Sequence, residues 1–516
     1  MSENIILIGF MGTGKDTIGR LLADKLNRPF LSTDEMIELT EKKSIKQIFE
    51  ENGERYFRKR EKWVVEKIRD IRNTVIATGG GIVIDPQNRA LLKNSGIVIH
   101  LFADLKTLRR RIAVKNQRPL IRRISDIERL YKDRKNLYDF ARLEIDTSSR
   151  PPEVIANEII ENLKLHGFKH FLPQKKILVK TKSKNYPVII GFDIAGILPF
   201  ERKKIVIITN PLVGALYLNE FANYLKRKGN QVHYIIIPDG ERYKSLETVK
   251  MIFNYLFSIN FQRQDIIISL GGGVITDIAG FVASIFKRGC ELVHAPTTLL
   301  GQVDAAIGGK TGINTANGKN MLGSFYQPEL VVCDIKKLFT LSEFEFRNGI
   351  AEVIKYAIIG SLELFTVLQQ ERKRILARDP QILYRIIEQC ISIKASVVYR
   401  DETETKGLRE ILNFGHTIGH VVETASGYRK YSHGEAVAMG MIEEMRIFNN
   451  ASKDLDTVVK LVRDYFLPFL LPEKLRKRIK NLFPQDKKMK GSRITMPILE
   501  KIGKVKTKEV LCKEYF

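Results

Sequence analysis

The distribution of apolar and polar positions divides the chain into strand-like and helix-like segments. Residues 5–8 form a short apolar run that predicts a buried strand, and the amphipathic residues 18–26 after it predict a helix. Residues 205–209 and 232–237 repeat the strand pattern on either side of a helix-like segment, residues 216–228. Because strands alternate with helices, we predict parallel α/β layers that bind ligands at the carboxyl ends of their strands.

The last third of the chain has a different pattern. Helical periodicity dominates from residue 336 onward, and it predicts helices over residues 342–370, 380–399, 408–425 and 434–449. The sequence therefore predicts a mainly α-helical domain after the α/β layers.

The length of 516 residues predicts about three domains of about 150 residues each. Pro151 and Pro152 precede a predicted helix over residues 153–165, and a short aperiodic segment follows that helix. We predict domains at residues 1–166, 175–335 and 336–516, with a linker at residues 167–174. Because the linker is not rich in Gly or Ser, we expect the two halves to be held against each other.

Composition narrows the class of protein. Apolar residues make up 44% of the chain, which is typical of a globular protein, and the apolar runs are too short to cross a bilayer. The N-terminus lacks the features of a signal peptide and the four cysteines are scattered, so we expect a cytoplasmic protein with reduced thiols. The net charge of +26 is dispersed without a nucleic-acid-binding motif, so we predict neither a nucleic-acid nor a membrane partner.

A phosphate-binding motif follows the first predicted strand. Residues 9–15 read GFMGTGK, which is the G-x-x-x-x-G-K spacing of a phosphate-binding loop between a strand and a helix. The backbone amides of such a loop surround the β-phosphate of ATP, and Lys15 reaches the β- and γ-phosphate oxygens. Asp16 occupies the position at which the standard motif has Ser or Thr as a Mg²⁺ ligand.

A second glycine-rich region indicates another anionic ligand. Glycines 271–273 lie between an apolar strand, residues 266–268, and a predicted helix over residues 277–286. Lys310 and Lys319 follow in glycine-rich segments that we predict to be loops. Glycines let a ligand approach the backbone and lysines add positive charge, so we predict one large anionic site, such as a dinucleotide site.

Histidines cluster in the predicted helical domain. His416 and His420 are four residues apart, which places them on one face of a helix. Together with Glu352 and His433, this cluster offers two histidines and one carboxylate to a metal ion, and three protein ligands are typical of a catalytic site. Thr417 excludes the H-E-x-x-H pattern of zinc proteases.

From about residue 175 onward, the chain resembles 3-dehydroquinate synthase. The matching segments occur in family order and read DGERYK, GGGVITD, KRG, PTTLL, QVDA, GGKTG, GKN, AEVIKY, NFGHTIGH and HGEAVAMGM. The resemblance implies an α/β NAD-binding domain followed by a mainly α-helical metal-binding domain. It also implies that Glu352, His416 and His433 bind Zn²⁺ (or Co²⁺), and that the protein is a homodimer formed through this part of the chain.

The same resemblance assigns residues to the cofactor and to the substrate. The residues implied around NAD are Asp239, Gly240, Glu241, Lys244, Gly272, Gly273, Asp277, Thr297, Thr298, Lys310, Lys319 and Thr340. The residues implied around a sugar phosphate are Arg288, Asp304, Lys310, Asn320, Lys355, Lys394, Arg409, Asn413, His420 and Lys488. Among these, the implied catalytic residues are Lys310, Lys355, Asn413 and His420.

The synthase reaction that the resemblance implies uses both cofactors. NAD⁺ removes a hydride from a ring hydroxyl that Zn²⁺ polarises, and the resulting ketone acidifies the neighbouring C–H bond. Phosphate then leaves by elimination, and NADH returns the hydride. Ring opening and aldol closure give 3-dehydroquinate, so NAD is regenerated in each turnover.

Residues 1–166 resemble shikimate kinase, which implies a P-loop domain of the nucleoside-kinase type with a parallel sheet. The residues implied around ATP are Gly12, Thr13, Gly14, Lys15, Asp16, Thr17, Arg111 and Arg118. The residues implied around shikimate are Asp34, Arg58, Gly79, Gly80, Gly81 and Arg134. The resemblance makes Lys15, Asp34 and Arg118 catalytic, with Asp34 as the base or orienter of the attacking hydroxyl and Arg118 in a lid.

The chain departs from the kinase pattern at the Mg²⁺ site. The family has D-x-D after its second strand, whereas this chain has Ser32-Thr33-Asp34. Asp16 brings a carboxylate to a position where the family has a hydroxyl, and Ser32 brings a hydroxyl to a position where the family has a carboxylate. We therefore interpret Asp16 and Ser32 as exchanged ligands of the Mg²⁺ that accompanies ATP. Two alternatives stay open: Mg²⁺ binding is weakened, or Thr17 is the substitute ligand.

Together, the two resemblances imply a bifunctional enzyme of the shikimate pathway. It would phosphorylate shikimate with ATP and convert 3-deoxy-D-arabino-heptulosonate 7-phosphate to 3-dehydroquinate with release of phosphate. Three alternatives stay open: a synthase whose kinase half is impaired, a synthase relative that acts on an amino analogue or a different sugar phosphate, and a basic nucleic-acid-binding protein with a P-loop.

Overall fold

The computed structural model of the chain describes residues 3–113, 124–165, 167, 172–427, 430–449, 453–473, 475–476 and 493–511. Two residues of the predicted sites, Arg118 and Lys488, lie outside these ranges. Over the ranges described, helices that combine the length and apolar character needed to cross a membrane are absent.

The N-terminal half folds around a parallel sheet with the strand order β2-β3-β1-β4-β5. Its strands are β1 (Asn4–Ile8), β2 (Phe30–Ser32), β3 (Val75–Ala77), β4 (Gly96–Phe102) and β5 (Leu143–Asp146). Every residue of β1 is buried, because helices cover both faces of a parallel sheet. The loops that follow β1, β2 and β3 therefore meet at one edge of this sheet.

Helices on both faces complete the N-terminal half. They are α1 (Lys15–Leu26), α2 (Thr33–Glu41), α3 (Ile45–Ile68), α4 (Pro86–Ser95), α5 (Leu105–Ala113), α6 (Ile124–Arg134) and α7 (Pro152–Asn162). Helix α1 begins at Lys15 rather than at the predicted residue 18, because Gly14 ends the preceding loop with a φ of 87°. Helix α3 begins with a capping box, in which Ser44 and Gln47 each accept a hydrogen bond from the other's backbone amide.

The C-terminal half begins with a second sheet. The strands of this sheet are β6 (Lys175–Val179), β7 (Tyr186–Gly191), β8 (Lys204–Thr209), β9 (Gln231–Ile236), β10 (Ile266–Gly271), β11 (Glu291–Pro296) and β14 (Leu330–Asp334). Two further strands, β12 (Lys310–Thr315) and β13 (Gly318–Phe325), form a separate hairpin. The sheet has the order β6-β7-β14-β11-β10-β8-β9 and is parallel except for β6, which is antiparallel to β7. Strand β10 is buried along its whole length and leads directly into the glycine turn.

The helices of this α/β layer are α8 (Pro211–Val213), α9 (Asn219–Arg227), α10 (Leu246–Ser258) and α11 (Gly273–Ile285), and a π turn over Gly214–Leu218 joins α8 to α9. The prediction that Lys310 and Lys319 lie in loops is wrong, because β12 and β13 pair as an antiparallel hairpin. Glycines allow the backbones of β12 and β13 to lie close together. A Cβ added at Gly323 would lie only 2.3 Å from the carbonyl oxygen of Thr311.

The last domain is mainly helical. Its helices are α12 (Glu343–Gly360), α13 (Leu362–Gln370), α14 (Arg372–Leu376), α15 (Pro380–Arg400), α16 (His416–Ala425), α17 (His433–Asn449) and α18 (Lys453–Asp464). The predicted single helix over residues 342–370 is wrong, because Ser361 is extended and its hydroxyl caps α13 by accepting from the Leu364 amide at 3.0 Å. The predicted helix over residues 408–425 is also broken, at Gly415, which has a φ of 78°.

A hairpin that the sequence analysis did not predict packs onto these helices. Its strands are β15 (Arg493–Lys501) and β16 (Lys504–Leu511). The side chains of Met496 and Val510 are buried in an apolar cluster with residues of α16 and α17. The hairpin thus covers one face of the helices that carry the predicted metal ligands.

The two halves of the protein are in direct contact. Leu39 of α2 packs against the second half, where a Cβ added at Gly214 would lie 3.0 Å from its Cδ2 atom. In the opposite direction, Leu212 packs against the apolar core of the N-terminal half. A polar contact accompanies this packing, because the Nζ atom of Lys336 donates to Oδ1 of Asn27 at 2.7 Å.

Candidate active sites

The loop after β1 forms an anion-binding turn. Gly12 and Gly14 have φ values of 85° and 87°, and these left-handed conformations fold the loop tightly before α1. Because Gly14 at the N-cap has no side chain, the first amides of α1 stay directed toward a ligand. The Nζ atom of Lys15 donates to the carbonyl oxygens of Gly9 at 2.8 Å and Phe10 at 3.0 Å, so its charge lies over the loop.

Several residues predicted to contact shikimate meet at the glycine turn after β3. Asp34 lies in the first turn of α2, and a Cβ added at Gly79 would be 2.5 Å from its Oδ1 atom. A Cβ added at Gly81 would likewise be 2.2 Å from Nη1 of Arg58, which donates to Oε2 of Glu61 at 2.6 Å. The turn therefore has a carboxylate on one side and a guanidinium group on the other.

Arg134 and Tyr138 approach the same turn from α6 and the segment after it. The Nη1 atom of Arg134 and the hydroxyl of Tyr138 donate to the carbonyl oxygen of Gly80 at 3.3 Å and 3.1 Å. Burial lowers the pKa of Arg134 and raises that of Tyr138. With Arg58, Arg134 brings a second guanidinium group to this turn, and such pairs suit a carboxylate ligand.

Glu61 and Thr33 also belong to this site, although the sequence analysis gave neither residue a role. Burial raises the pKa of Glu61 to about 7, although Arg58 acts in the opposite direction. The Oγ1 atom of Thr33 accepts a hydrogen bond from the Gly79 amide at 2.9 Å and so joins the start of α2 to the glycine turn. The sequence signal for Thr33 is its position next to Asp34, at the end of a strand.

The residues predicted to bind Mg²⁺ lie at the same edge of the sheet. Asp16 is exposed at the second position of α1, and Ser32 is buried at the end of β2. The Oγ atom of Ser32 accepts a hydrogen bond from the Glu35 amide at 3.5 Å, so this hydroxyl also caps α2. Their assignment to Mg²⁺ stays a prediction.

The predicted ATP-contacting arginine near the loop is Arg111. Its Nη1 atom donates to the carbonyl oxygen of Gly12 at 3.3 Å, and its Nη2 atom donates to the carbonyl oxygen of Thr147 at 2.6 Å. The guanidinium group therefore lies directly beside the phosphate-binding loop. Thr13 and Thr17 lie in and just after that loop, and Thr13 donates to the Phe10 carbonyl at 2.9 Å.

A cleft of about 2150 Å³ lies at the carboxyl ends of strands β8 to β11 in the second half. Its volume exceeds the upper range of single-ligand pockets, about 1,000 Å³, and its lining includes residues of both halves of the chain. Each residue predicted to contact NAD lines this cleft. The sequence motifs, although widely separated along the chain, converge on one site.

The N-terminus of α11 and the hairpin β12–β13 form one side of this cleft. Gly272 is the N-cap of α11, so the first amides of this helix face the cleft as they would face an anion. The Nζ atom of Lys244 is hydrogen-bonded to Asp277 on α11 and to Asn320 on the hairpin. Burial raises the pKa of Asp277, and the nearby Lys244 acts against that rise.

The predicted substrate-contacting residues gather around Asp304, deeper in the cleft. The Nζ atom of Lys394 donates to Oδ1 of Asp304 at 2.8 Å, and that of Lys355 lies 4.0 Å from the same oxygen. Burial lowers the pKa of Lys394 to about 8. Burial alone would raise the pKa of Asp304, but the two lysines outweigh burial and lower that pKa. Tyr356 also donates to Oδ1 of Asp304, at 2.5 Å, and the sequence analysis did not single it out.

Five other predicted substrate residues line the cleft, and one described residue does not. Asn320, Asn413 and His420 face it, as does Arg409, which donates to the carbonyl oxygens of Glu402 at 2.6 Å and Gly308 at 3.0 Å. Lys310 also lines the cleft and pairs with Glu404. Arg288 is exposed and is not among the residues that line the cleft, so its assignment to the substrate stays a prediction.

Glu352, His416 and His433 meet beside the cleft, on α12, α16 and α17. One donor atom from each lies within 4.8 Å of the others. The Oε1 atom of Glu352 is 3.4 Å from Nε2 of His416 and 3.5 Å from Nε2 of His433. Zn²⁺ bonds of about 2.0–2.1 Å at tetrahedral angles separate neighbouring ligands by about 3.3 Å, so the three residues fit such an ion.

The electrostatics of this group favour a bound cation. Burial alone would raise the pKa of Glu352, but Lys355 and His416 outweigh it and lower the pKa, so the carboxylate is ionised. Burial lowers the pKa of His416, which keeps this imidazole in the neutral form that binds metal. In the metal-free protein, the hydrogen bonds of His433 with Glu352 and Glu423 outweigh burial and raise the pKa of His433 to about 10, so this imidazole holds a proton that a bound metal ion has to replace.

Glu423 is the residue of this site that sequence reasoning missed. One of its oxygens lies 3.7 Å from Nδ1 of His433, and the other accepts from Nζ of Lys319 at 3.0 Å. It therefore orients a predicted metal ligand and joins it to the hairpin of the cofactor cleft. The available signal was its spacing, since Glu423 is three residues after His420 and seven after His416, on one face of α16.

These two sites define two classes of enzyme on one chain. The first half is a P-loop kinase, in which a glycine turn with a carboxylate and two guanidinium groups around it lies beside the phosphate-binding loop. The second half is an α/β synthase with a dinucleotide-type cleft and a catalytic type of metal site. The prediction of these two folds is confirmed by the comparisons that follow.

Comparison with known proteins gives the family of each half. Shikimate kinase matches residues 11–164, the N-terminal part of 3-dehydroquinate synthase matches residues 234–348, and its C-terminal part matches residues 349–489. A bifunctional shikimate kinase/3-dehydroquinate synthase of Thermotoga maritima is 36% identical over 516 residues, covering 98% of each chain. The chain belongs to the bifunctional shikimate kinase/3-dehydroquinate synthase family, and both enzyme activities predicted from the sequence are confirmed by this membership.

Two other similar proteins cover the second half. A 3-dehydroquinate synthase of Thermodesulfovibrio yellowstonii is 41% identical over 344 residues, which is 64% of this chain and 95% of that protein. A 2-epi-5-epi-valiolone synthase of Streptomyces hygroscopicus subsp. jinggangensis 5008, solved with NAD⁺ and Zn²⁺ bound, is 27% identical with a TM-score of 0.59. That comparison covers 65% of this chain and 96% of the other.

Proposed function

We propose that this enzyme phosphorylates the 3-hydroxyl of shikimate with Mg²⁺–ATP and converts 3-deoxy-D-arabino-heptulosonate 7-phosphate to 3-dehydroquinate with release of phosphate. The observation that carries the second activity is the group Glu352, His416 and His433 beside a cleft of about 2150 Å³. The observation that carries the first is the glycine turn between Asp34 and Arg58, beside the phosphate-binding loop. A homodimer formed through the synthase half is part of this proposal.

In the synthase half, Zn²⁺ or Co²⁺ held by the three ligands would supply Lewis-acid polarisation of a substrate hydroxyl. Lys355 lies between the metal ligands and the substrate region, because its Nζ atom is 2.5 Å from Glu352 and 4.0 Å from Asp304. Its buried ammonium therefore stabilises negative charge that develops on the substrate. Lys394, with a pKa lowered to about 8, is the group best suited to exchange a proton near neutral pH.

NAD⁺, when bound, would supply the hydride acceptor and return the hydride within the same turnover. The amides at the start of α11 and the ammonium of Lys244 line the cleft and would bind its pyrophosphate. The residues that would hold NAD⁺ line the same cleft as His416 and His433, which supports a hydride transfer from a metal-polarised hydroxyl.

In the kinase half, the two arginines hold the substrate and the carboxylate acts on it. Arg58 and Arg134 would pair with the carboxylate of shikimate, and Asp34 would accept the proton of the attacking hydroxyl or orient it. Lys15 would neutralise the phosphate oxygens during transfer. Because Asp34 lies against Gly79, the hydroxyl that it contacts is held on the glycine side of the pocket, toward the phosphate-binding loop.

Phosphate release from 3-deoxy-D-arabino-heptulosonate 7-phosphate tests the synthase proposal. We expect release that requires both NAD⁺ and a divalent metal, is lost on treatment with a strong chelator, and returns with Zn²⁺ or Co²⁺. Release that persists without metal and without NAD⁺ would contradict the proposal. A substrate panel that includes an amino analogue and other sugar phosphates separates it from the alternative of a synthase relative with a different substrate.

The exchanged Mg²⁺ pair predicts a specific pattern of kinase activity. We expect the single changes Asp16→Ser and Ser32→Asp each to lower shikimate-dependent ATP consumption by about tenfold or more, and the double change to restore it. The reason is that each single change leaves two hydroxyls or two carboxylates at the metal, whereas the native and double forms keep one of each. The measurement is turnover as a function of Mg²⁺ concentration.

The outcomes of this experiment are distinct. Additive losses in the double variant would contradict the exchange, because independent residues do not compensate each other. Low native activity that the double change raises would instead mean that the kinase half is impaired. Synthase turnover of the same chain is the internal control for folding.

A further inference from the structure

The cleft of the synthase half extends onto the kinase half. The end of α3 and the segment after it, including Lys67, Arg69, Asp70 and Arg72, line the cleft together with synthase residues. This explains part of its large volume of about 2150 Å³. One wall of the cleft is therefore formed by residues of the kinase half.

This wall contacts two separate loops of the predicted cofactor site. The Nζ atom of Lys67 lies 2.9 Å from Oδ2 of Asp239, in the loop after β9. The backbone amide of Arg72 donates to the carbonyl oxygen of Thr340 at 3.3 Å. Asp239 and Thr340 both belong to the residues predicted to contact NAD, and a kinase segment of six residues bridges them.

The charges of this wall suit anionic ligands. Among the described kinase residues that line the cleft, five are basic and two are acidic. Two of the basic side chains are paired with synthase carboxylates, since Nε of Arg72 lies 3.5 Å from Oε1 of Glu343 in addition to the Lys67 contact. The basic side chains of the wall therefore offset the negative charge of acidic side chains at the mouth of the cleft. The proposed ligands of this cleft are also anionic, because NAD carries a pyrophosphate and the substrate carries a phosphate.

We propose that the kinase half supplies part of the NAD site of the synthase half, with Lys67 as the positioning residue for Asp239. This inference rests on the proposed binding of NAD in the synthase cleft. A carboxylate at the end of a strand in such a fold accepts hydrogen bonds from ribose hydroxyls. The ammonium of Lys67 holds that carboxylate in one orientation and offsets its repulsion of the pyrophosphate, so the site is organised before NAD arrives.

Direct measurement of NAD⁺ binding to the full-length chain by titration calorimetry tests this proposal. We expect Lys67→Gln to raise the dissociation constant about fivefold, the upper value for a partly exposed ion pair. Lys67→Glu is expected to raise it by more than about tenfold, because it places two like charges together. Lys67→Arg is expected to stay close to the native value.

Two further readouts separate positioning from a general structural effect. The loss in Lys67→Gln should fall on KM for NAD⁺ rather than on kcat, and should shrink as the ionic strength rises, because salt screens a partly exposed pair. Lys62→Gln and Lys62→Glu are the matched controls. Lys62 is a partly exposed residue of the same helix, like Lys67, but it donates to Gln87 within the kinase half, so its changes should leave NAD⁺ binding at the native value.

Each outcome has one meaning. Unchanged or tighter NAD⁺ binding in both Lys67→Gln and Lys67→Glu would overturn the inference while leaving the proposed function intact. Equal weakening by the Lys62 and Lys67 changes would also overturn it, because the effect would then be one of net charge. A native chain that binds no NAD⁺ would instead refute the proposed synthase function.

Discussion

Glu352→Gln is expected to lower 3-dehydroquinate formation by more than about 10³-fold while shikimate phosphorylation by the same chain continues. A Lewis acid contributes several kcal/mol to the transition state, and each 1.4 kcal/mol corresponds to about a factor of ten in rate. Glutamine keeps the size of Glu352, which is fully buried, so no cavity forms. It removes the negative charge that His416 and His433 face at 3.4 Å and 3.5 Å.

Metal content is measured together with turnover for this prediction. We expect the variant to lose most of its bound Zn²⁺ or Co²⁺ at a concentration of free metal that saturates the native protein. The matched control is Glu443→Gln, a buried carboxylate on the same helix as His433 that pairs with Arg446 and Arg476. Retention of both metal and turnover in Glu352→Gln would remove Glu352 from the metal site.

Asp34→Asn is expected to lower kcat for shikimate phosphorylation by about 10²–10⁴-fold, the usual contribution of a positioned base. Asparagine keeps the size of the side chain that lies against Gly79, but it cannot accept the proton of the attacking hydroxyl. The measurement is shikimate-dependent ATP consumption at saturating Mg²⁺–ATP. KM for shikimate is expected to change much less, because Arg58 and Arg134 still face the carboxylate.

Glu35→Gln is the matched control for this change. Glu35 is the next residue of α2, and it pairs with Arg20 in the kinase half. Its replacement should leave kcat near the native value. A result in which Asp34→Asn raises only KM and leaves kcat unchanged would make Asp34 a binding residue rather than a base or orienter.

Local sequence patterns predicted the elements of the fold well where an element is buried on a regular face. Strands β1, β8 and β10 were all predicted from short apolar runs, because a strand inside a parallel sheet is buried on both sides. Periodicity failed at Ser361 and Gly415, where the helical pattern continues through a break. At Gly415 the cause is tertiary, because a Cβ there would lie 2.4 Å from Cγ of Met441 on α17.

The candidate sites were predicted to different extents. Residues within short motifs, such as Lys15 or His416, could be named because glycine and histidine spacing has a local physical reason. Glu423 and Tyr356 were not named, because each acts through a residue on another element of the fold: His433 in one case and Asp304 in the other. Arg288 was named from its motif, and it is exposed in the single chain, so its contact with the substrate stays a prediction.

The sequence by itself determined that this chain carries two α/β enzymes, which phosphate-binding loops they use, and which three side chains can bind a metal ion. The phosphate-binding loops depend on spacing along a strand, a turn and a helix, which neighbouring residues decide. The three metal ligands lie on three different helices and were named from the resemblance to 3-dehydroquinate synthase. Only the tertiary structure decided that α3 of the kinase ends at the cofactor cleft of the synthase, where Lys67 meets Asp239. The physical reason is that this contact depends on how two separately folded apolar cores pack together, and no local pattern along the chain encodes that packing.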